Sequence, residues 1–304
     1  FKQGITGLAV SWVIYMYITL TISLFLSKKL VDYSLWNFIK DATPYASLSF
    51  LSMIAAYFAY FGIAAFHIPW YITFVLVVLL TALLGIVVEK TAYRTLRDAP
   101  RSSILISAIG VSFLLENLAT YLFTGIPKAF PEFRFMTTPF SVGGVLIQPL
   151  VIIVPVVTFL LLFILLYIVN NTRLGMSMRA VSKDYETARL MGIEINSVIS
   201  ATFGIGSGLA ALGALMWGMK YSSIQPLMGV MPGLKCFIAA VIGGIGNIKG
   251  AVIGGFILGL AEIMLVAFLP SLTGYRDAIA FIILIVILLF RPMGILGEKQ
   301  TDKV

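Results

Sequence analysis

The chain has little that supports chemistry. Among 304 residues there is one cysteine, Cys236, and one histidine, His67. A single cysteine excludes an internal disulfide and any cysteine-based metal site. It lies among apolar residues and reads as a small packing residue. A lone histidine near Pro69 supplies neither a zinc site nor a Ser-His-Asp triad, and reads as part of a short interfacial turn. No HExxH segment is present, and the aspartates are expected only in loops. These absences argue against an intramembrane enzyme: the chain reads as non-catalytic, with no cofactor and no metal. Charge is also scarce, at 11% of residues against 60% hydrophobic, where soluble domains carry about 25%. A water-soluble core cannot absorb that much apolar surface, so an integral membrane protein is expected.

What is present is a series of long apolar runs. A spanning helix needs roughly 20 mostly apolar residues, and the candidates are 4–26, 47–66, 69–88, 104–124, 148–170, 197–218, 233–246, 250–268 and 275–290. They are too long and uniform for a β-barrel, whose strands alternate over about ten residues. The expected fold is all-α: a polytopic helical membrane protein of about eight to nine transmembrane spans, forming one transmembrane domain over 1–304. The spans at 233–246 and 275–290 are short and are expected to be tilted, partial or buried among neighbours. The formal net charge of +8 does not point to nucleic acid. Fifteen of the 21 Lys and Arg residues fall in 27–46, 89–103, 171–196, 247–249 and 291–304. Basic residues collect on the cytoplasmic side, so nine spans with the N-terminus outside and the C-terminus cytoplasmic fit the pattern. The first run is long enough to be a span rather than a cleaved signal.

Within the spans the informative residues are small or acidic. Gly204 and Gly208 stand four apart in 204–213, and the 243–255 segment GGIGNIKGAVIGG is rich in glycine. Small residues let helices approach closely in lipid. In the second segment Gly243, Gly244, Gly246 and Gly250 are also compatible with a break between spans that reaches the transport path or the cytoplasmic face. It is not a phosphate loop, because Lys249 precedes Gly250 rather than Ser or Thr, so nucleotide binding by this chain is rejected. Glu116, with its neighbour Asn117, and Glu262 are the two carboxylates expected inside spans. A buried charge faces a polar partner or a cavity. Interhelical hydrogen bonding leads, ahead of pathway lining, with proton coupling last because no histidine or chain of acids accompanies them. The outer segment 125–147 holds Pro127, Pro131, Pro139 and several phenylalanines, and reads as an external loop with aromatics at the interface.

The longest polar run is RAVSKDYETARLMGIEINS at 179–197, within a cytoplasmic segment of about 171–196. Ser182 is a good N-cap and Gly192 a good residue just past a helix end. Asp184 and Glu186 in the first turn and Arg189 in the last suit the helix dipole. A short helix over 183–191 is expected, with Val181, Tyr185 and Ala188 on one face and Leu190 and Met191 widening it. One reading lays this helix on the lipid surface. The other inserts it in a groove on a soluble partner, for which its length is better suited.

RAVSKDYETARLMGI, GSGLAALGALMWG, FIAAVIGGIGNIKGAVIGGFILGLAE and LLFRPMGILGEK, in this order and spacing, resemble the permease subunits of bacterial branched-chain amino acid ABC importers. LLTALLGIVVEKTAYRTLRDAPRSSILISAIGVSFLLENLATYLFTG at 79–125 is similar too, so the resemblance covers about 55–298. It departs at the N-terminus: residues 8–61 contain no glycine, and the family's Asn-Phe-Ala-His-Gly motif is absent. The resemblance implies a multi-pass subunit of the bacterial inner membrane that conducts branched-chain or related amino acids. Partners would be cytoplasmic ABC ATPases, a second related permease and a periplasmic binding protein. The ATPases would engage a coupling helix through Arg179, Lys183, Tyr185, Ala188, Arg189, Met191 and Gly192. The rival readings are a secondary, ion-coupled transporter and a channel for small polar solutes. A secondary transporter would need ion-relaying groups and an internal repeat, and a channel a filter-like sequence or an Arg-rich sensor.

Overall fold

The computed structural model describes residues 51–94, 101–131, 133, 138–142, 145–225, 228–291 and 293–297. The expected first span at 4–26 lies outside them. The described residues are helical apart from four short strands. In chain order they are α1 (Leu51–Ala65), α2 (Trp70–Val88), α3 (Arg101–Phe123), β1 (Lys128–Ala129), β2 (Phe140–Val142), β3 (Val145–Ile147), α4 (Pro149–Asn171), α5 (Arg173–Lys183), α6 (Tyr185–Leu190), α7 (Ile195–Tyr221), β4 (Ser223–Ile224), α8 (Val230–Gly243), α9 (Ile248–Phe268) and α10 (Arg276–Phe290). The all-α polytopic reading holds. Among the described residues five helical stretches are long and apolar enough to cross a membrane: Trp70–Tyr93, Pro149–Asn171, Ile195–Tyr221, Ile248–Phe268 and Pro270–Phe290. The last gains its length from a 3-10 turn at Pro270–Tyr275 that leads into α10. α1 and α8 are shorter apolar helices. The chain divides into two compact units, one over 43–233 and one from 234 onward.

In the first unit the core is built around α1, which is buried on nearly every side from Met53 to Ala59. A helix apolar all round belongs in an interior. The turn from α1 to α2 is tight: His67 adopts a left-handed φ of 53°, and the Ile68 N–H donates to the Gly62 carbonyl at 3.0 Å. α2 then buries Thr73, Val77, Thr81, Gly85 and Val88, one face of a 3.6-residue period. That face lies along α7, where Gly204, Ser207, Gly208 and Ala211 are equally small. A Cβ at Gly85 would strike the Ser207 side chain, and one at Gly204 would press on Ile86 at 3.1 Å. The expected small-residue packing at Gly204 and Gly208 is therefore the α2–α7 seam. In contrast, the most apolar stretch of α4 buries no residue.

The described residues of the 125–147 segment include three short strands. β1 pairs antiparallel with β4, Lys128 opposite Ile224, and β2 pairs with β3 in a hairpin. Phe130 is buried beside Gly218, and its N–H donates to the Ser222 carbonyl at 3.1 Å. Phe133 meets Trp70 and Phe74 edge-on at 6.1 and 5.8 Å. Lys128 sits 4.5 Å from the Phe61 ring centroid, close enough for a cation–π contact.

In the second unit α8 and α9 meet at the Gly-rich segment, a genuine break between helices. Gly244 and Gly246 take φ of 108° and 92°, which only glycine adopts without strain. Asn247 caps α9, its side-chain oxygen accepting from the Gly250 N–H at 3.1 Å. Cys236 is exposed on α8 rather than packed inside.

Candidate functional site

The polar segment folds as two helices, not one over 183–191. Thr172 caps α5, accepting from the Gly175 N–H at 3.1 Å. Ser182 is not a cap: it lies in the last turn of α5 and its hydroxyl donates to the Arg179 carbonyl. The break falls at Asp184, whose carboxylate accepts from the Glu186 and Thr187 N–H groups and the Thr187 hydroxyl. Aspartate outcompetes serine here because a charged acceptor also meets the positive end of the helix dipole. Gly192, at φ 80°, ends the motif as expected.

That break decides which side chains face outward. Val181, Ala188 and Val198 form a small buried cluster, with Met178, Ile193 and Ile195 packed against it. Ala188 is only 3% exposed, so its methyl anchors α6 to the base of α7 rather than standing on the outer face with Tyr185. Tyr185 is half-exposed, and Leu190 and Met191 are 88% and 79% exposed. Arg179, Lys183 and Arg189 are exposed around them. The result is an exposed apolar pair, Leu190 and Met191, at the end of a helix with exposed basic side chains and a packed base.

Two charged clusters lie deeper. Glu89 follows the last residue of α2 and is wholly buried, although the apolar run ends at Val88 and Glu89 reads as a loop residue in the sequence. Its Oε2 accepts from the Ser200 hydroxyl at 2.6 Å, and Arg94 lies 3.3 Å from the same oxygen. Arg94 also donates to the Ser200 oxygen at 2.8 Å. In the second unit Lys235 on α8 stands 2.9 Å from both Glu262 on α9 and Asp277 at the start of α10. Glu262 thus has the interhelical partner expected of it, but as an ion pair. Asp277 corrects the expectation that aspartates occur only in loops. Glu116 behaves differently: it is half-buried, its carbonyl accepts from the Thr120 hydroxyl at 2.9 Å, and no partner to its carboxylate occurs among the described residues. Asn117 bonds back to the Phe113 carbonyl of its own helix.

The glycines at 243–250 have a use that local reading does not reveal. They receive the segment after α10. The Ile295 and Leu296 N–H groups donate to the carbonyls of Ile242 and Gly243 at 2.9 Å each, and Asn247 donates to the Leu296 carbonyl at 3.0 Å. Gly243 and Gly250 face each other backbone to backbone, and Gly244 lies against Gly297. Without side chains there, two helix ends and the 293–297 turn segment share one small volume.

Comparison with known proteins agrees with this architecture. A family model described as the permease component of branched-chain amino acid transport systems matches residues 46–288. The high-affinity branched-chain amino acid transport system permease protein BraD of Pseudomonas aeruginosa is 40% identical over 262 residues, 84% of this chain and 84% of its own length. LivH of Escherichia coli, with the same description, is 36% identical over 265 residues, 83% of this chain and 85% of its own. The probable branched-chain amino acid transport permease protein LivH of Methanocaldococcus jannaschii is 25% identical over 272 residues, 86% of this chain and 85% of its own. No solved structure gives a significant match. The family match covers most of the spans described above, so the chain belongs to the family of permease components of branched-chain amino acid transport systems.

Proposed function

We propose that this chain is the membrane-spanning subunit of an ATP-driven importer of branched-chain or related amino acids, set in the bacterial inner membrane. Cytoplasmic ATPases supply the energy, a periplasmic binding protein delivers the substrate, and a second related permease completes the pathway. The observation that carries this reading is the exposed apolar pair Leu190 and Met191 at the end of α6, with half-exposed Tyr185 at its start. Lone apolar side chains at a surface are ordinary. Here two adjacent ones, Leu190 and Met191, end a capped helix that Ala188 fixes against Val198. A helix of this kind suits a groove on a soluble partner. Arg179, Lys183 and Arg189 at its rim add electrostatic steering.

Burying a Leu or Met side chain is worth about 1.5–3 kcal/mol. A carboxylate in its place adds the cost of desolvating an unpaired charge. Leu190→Glu and Met191→Glu are each expected to lower uptake of labelled branched-chain amino acid at least tenfold and to abolish co-purification of the ATPases. The amount of subunit in the membrane stays normal, because neither side chain is in the chain's own core. Full uptake and intact ATPase binding in both variants would overturn the docking assignment. The same reading places α6 and the 125–131 loop on opposite faces. In a chain with Cys236 replaced, cysteines at Leu190 and Ile126 are expected to react with an impermeant reagent from the cytoplasmic and outer sides respectively. Labelling of both from one side refutes this topology.

A further inference from the structure

We propose that Ser200, Glu89 and Arg94 form a positioning latch that carries movement of α6 into α2. The inference rests on α6 being the ATPase-docking helix and adds the route by which its motion enters the membrane unit. The route can be followed residue by residue. Ala188 packs on Val198 in the first turn of α7. Two residues further on, Ser200 is buried and points to the other helix. Its hydroxyl donates to Glu89 Oε2 at 2.6 Å and accepts from Arg94 Nη2 at 2.8 Å. The base of α7 is thus joined on one side to α6 and on the other to the end of α2.

The backbone there is built for this contact. Residues Glu89–Tyr93 form a π-helical turn, and the Arg94 N–H bonds to the Glu89 carbonyl, five residues back. In an α-helix a residue five positions on lies about 140° around the axis and cannot face its partner. The wider turn brings Arg94 over Glu89, at 3.3 Å. Such π turns recur at functional sites. Tyr93 reinforces the grip, its ring 5.4 Å from that of Phe203 on α7. Beyond the latch the helices stay closely packed, Gly85 against the Ser207 side chain and Gly204 against that of Ile86. Tightly packed small-residue seams of this kind have little slack, so a displaced α7 base takes α2 with it. A fully buried carboxylate is costly to keep if its only use is to join two helices that glycines already join.

The test uses the complete importer, with its partner subunits, reconstituted in lipid vesicles. In Ser200→Ala the transport kcat for a branched-chain amino acid is expected to fall at least fivefold with KM unchanged, because substrate delivery is untouched. ATP hydrolysis is expected to stay within twofold of wild type, so more ATP is consumed per amino acid moved, and the ATPases still co-purify. Glu89→Gln is expected to show the same pattern more strongly. Should Glu89→Gln fail to assemble, Ser200→Ala decides alone. The proposal is overturned if Ser200→Ala transports with wild-type kcat and wild-type ATP consumption per molecule moved. It is equally overturned if lost uptake merely tracks lost protein. A wild-type complex that carries no ATPase would instead refute the importer reading itself, a different result.

Discussion

Replacing Lys235 with methionine is expected to destabilise the fold by about 3 kcal/mol. Among the described residues Lys235 is the cation between two carboxylates, 2.9 Å from Glu262 and 2.9 Å from Asp277. Each acid comes from a different helix, so the ammonium joins α8, α9 and α10 at one point. Removing it leaves two like charges facing each other in an apolar setting. Breaking a buried pair by deleting one partner costs about 3–5 kcal/mol. Asp277 is close to half exposed, which places the expected loss near the lower end, at about 3 kcal/mol. That is still a shift of more than a hundredfold in the ratio of folded to unfolded protein. Thermal unfolding of the detergent-purified protein, with the yield of monodisperse material, measures it. Glu262→Gln is expected to be far milder, because Lys235 retains Asp277. Adding Glu262→Gln and Asp277→Asn to Lys235→Met is expected to recover much of the loss, since no uncompensated charge remains. A Lys235→Met protein as stable as wild type would show that the three charges are solvated independently.

These same residues show where sequence reading stops. The apolar runs, the Gly-rich break and Gly192 are legible because each is a local signal: run length, composition, a left-handed turn. Lys235 and Asp277 are hidden because a single charge hardly alters the average of an apolar window, and only the three-dimensional neighbourhood shows that they complement Glu262. Glu89 stands one residue past an apolar run and looks like the start of a loop. Its burial follows from a π turn that no periodicity rule anticipates. Ser182 and Asp184 are both acceptable N-caps by type, and the choice between them moves the helix start by two residues. That shift rotates Val181 and Ala188 inward and leaves Tyr185 out. The docking of residues 293–297 on the Gly-rich turn joins positions 49 apart, Asn247 and Leu296, and a local rule does not reach that far.

The glycines of that turn make a graded prediction, because their structural demands differ. Gly250→Ala is expected to be severe. Its new Cβ would collide with the Gly243 carbonyl oxygen, a backbone atom that cannot rotate away. That carbonyl is also held in place, accepting from the Leu296 N–H at 2.9 Å, while the Gly250 N–H is fixed by Asn247. Relief therefore requires α8 and α9 to separate or the 293–297 segment to detach. Overpacking a close-fitted site costs about 1–3 kcal/mol, and freeing the segment forfeits backbone hydrogen bonds worth about 1 kcal/mol each. Gly246→Ala meets no such wall: nothing lies within 4 Å of the added methyl, and the penalty comes only from φ of 92°, about 1–2 kcal/mol. The expected order is Gly250→Ala well below Gly246→Ala in thermal stability. In Gly250→Ala the 293–297 segment should also become sensitive to protease, while in Gly246→Ala it stays protected. Equal losses in the two variants, with the segment protected in both, would mean that the glycines serve only backbone conformation and that the close contact of α8 with α9 is dispensable.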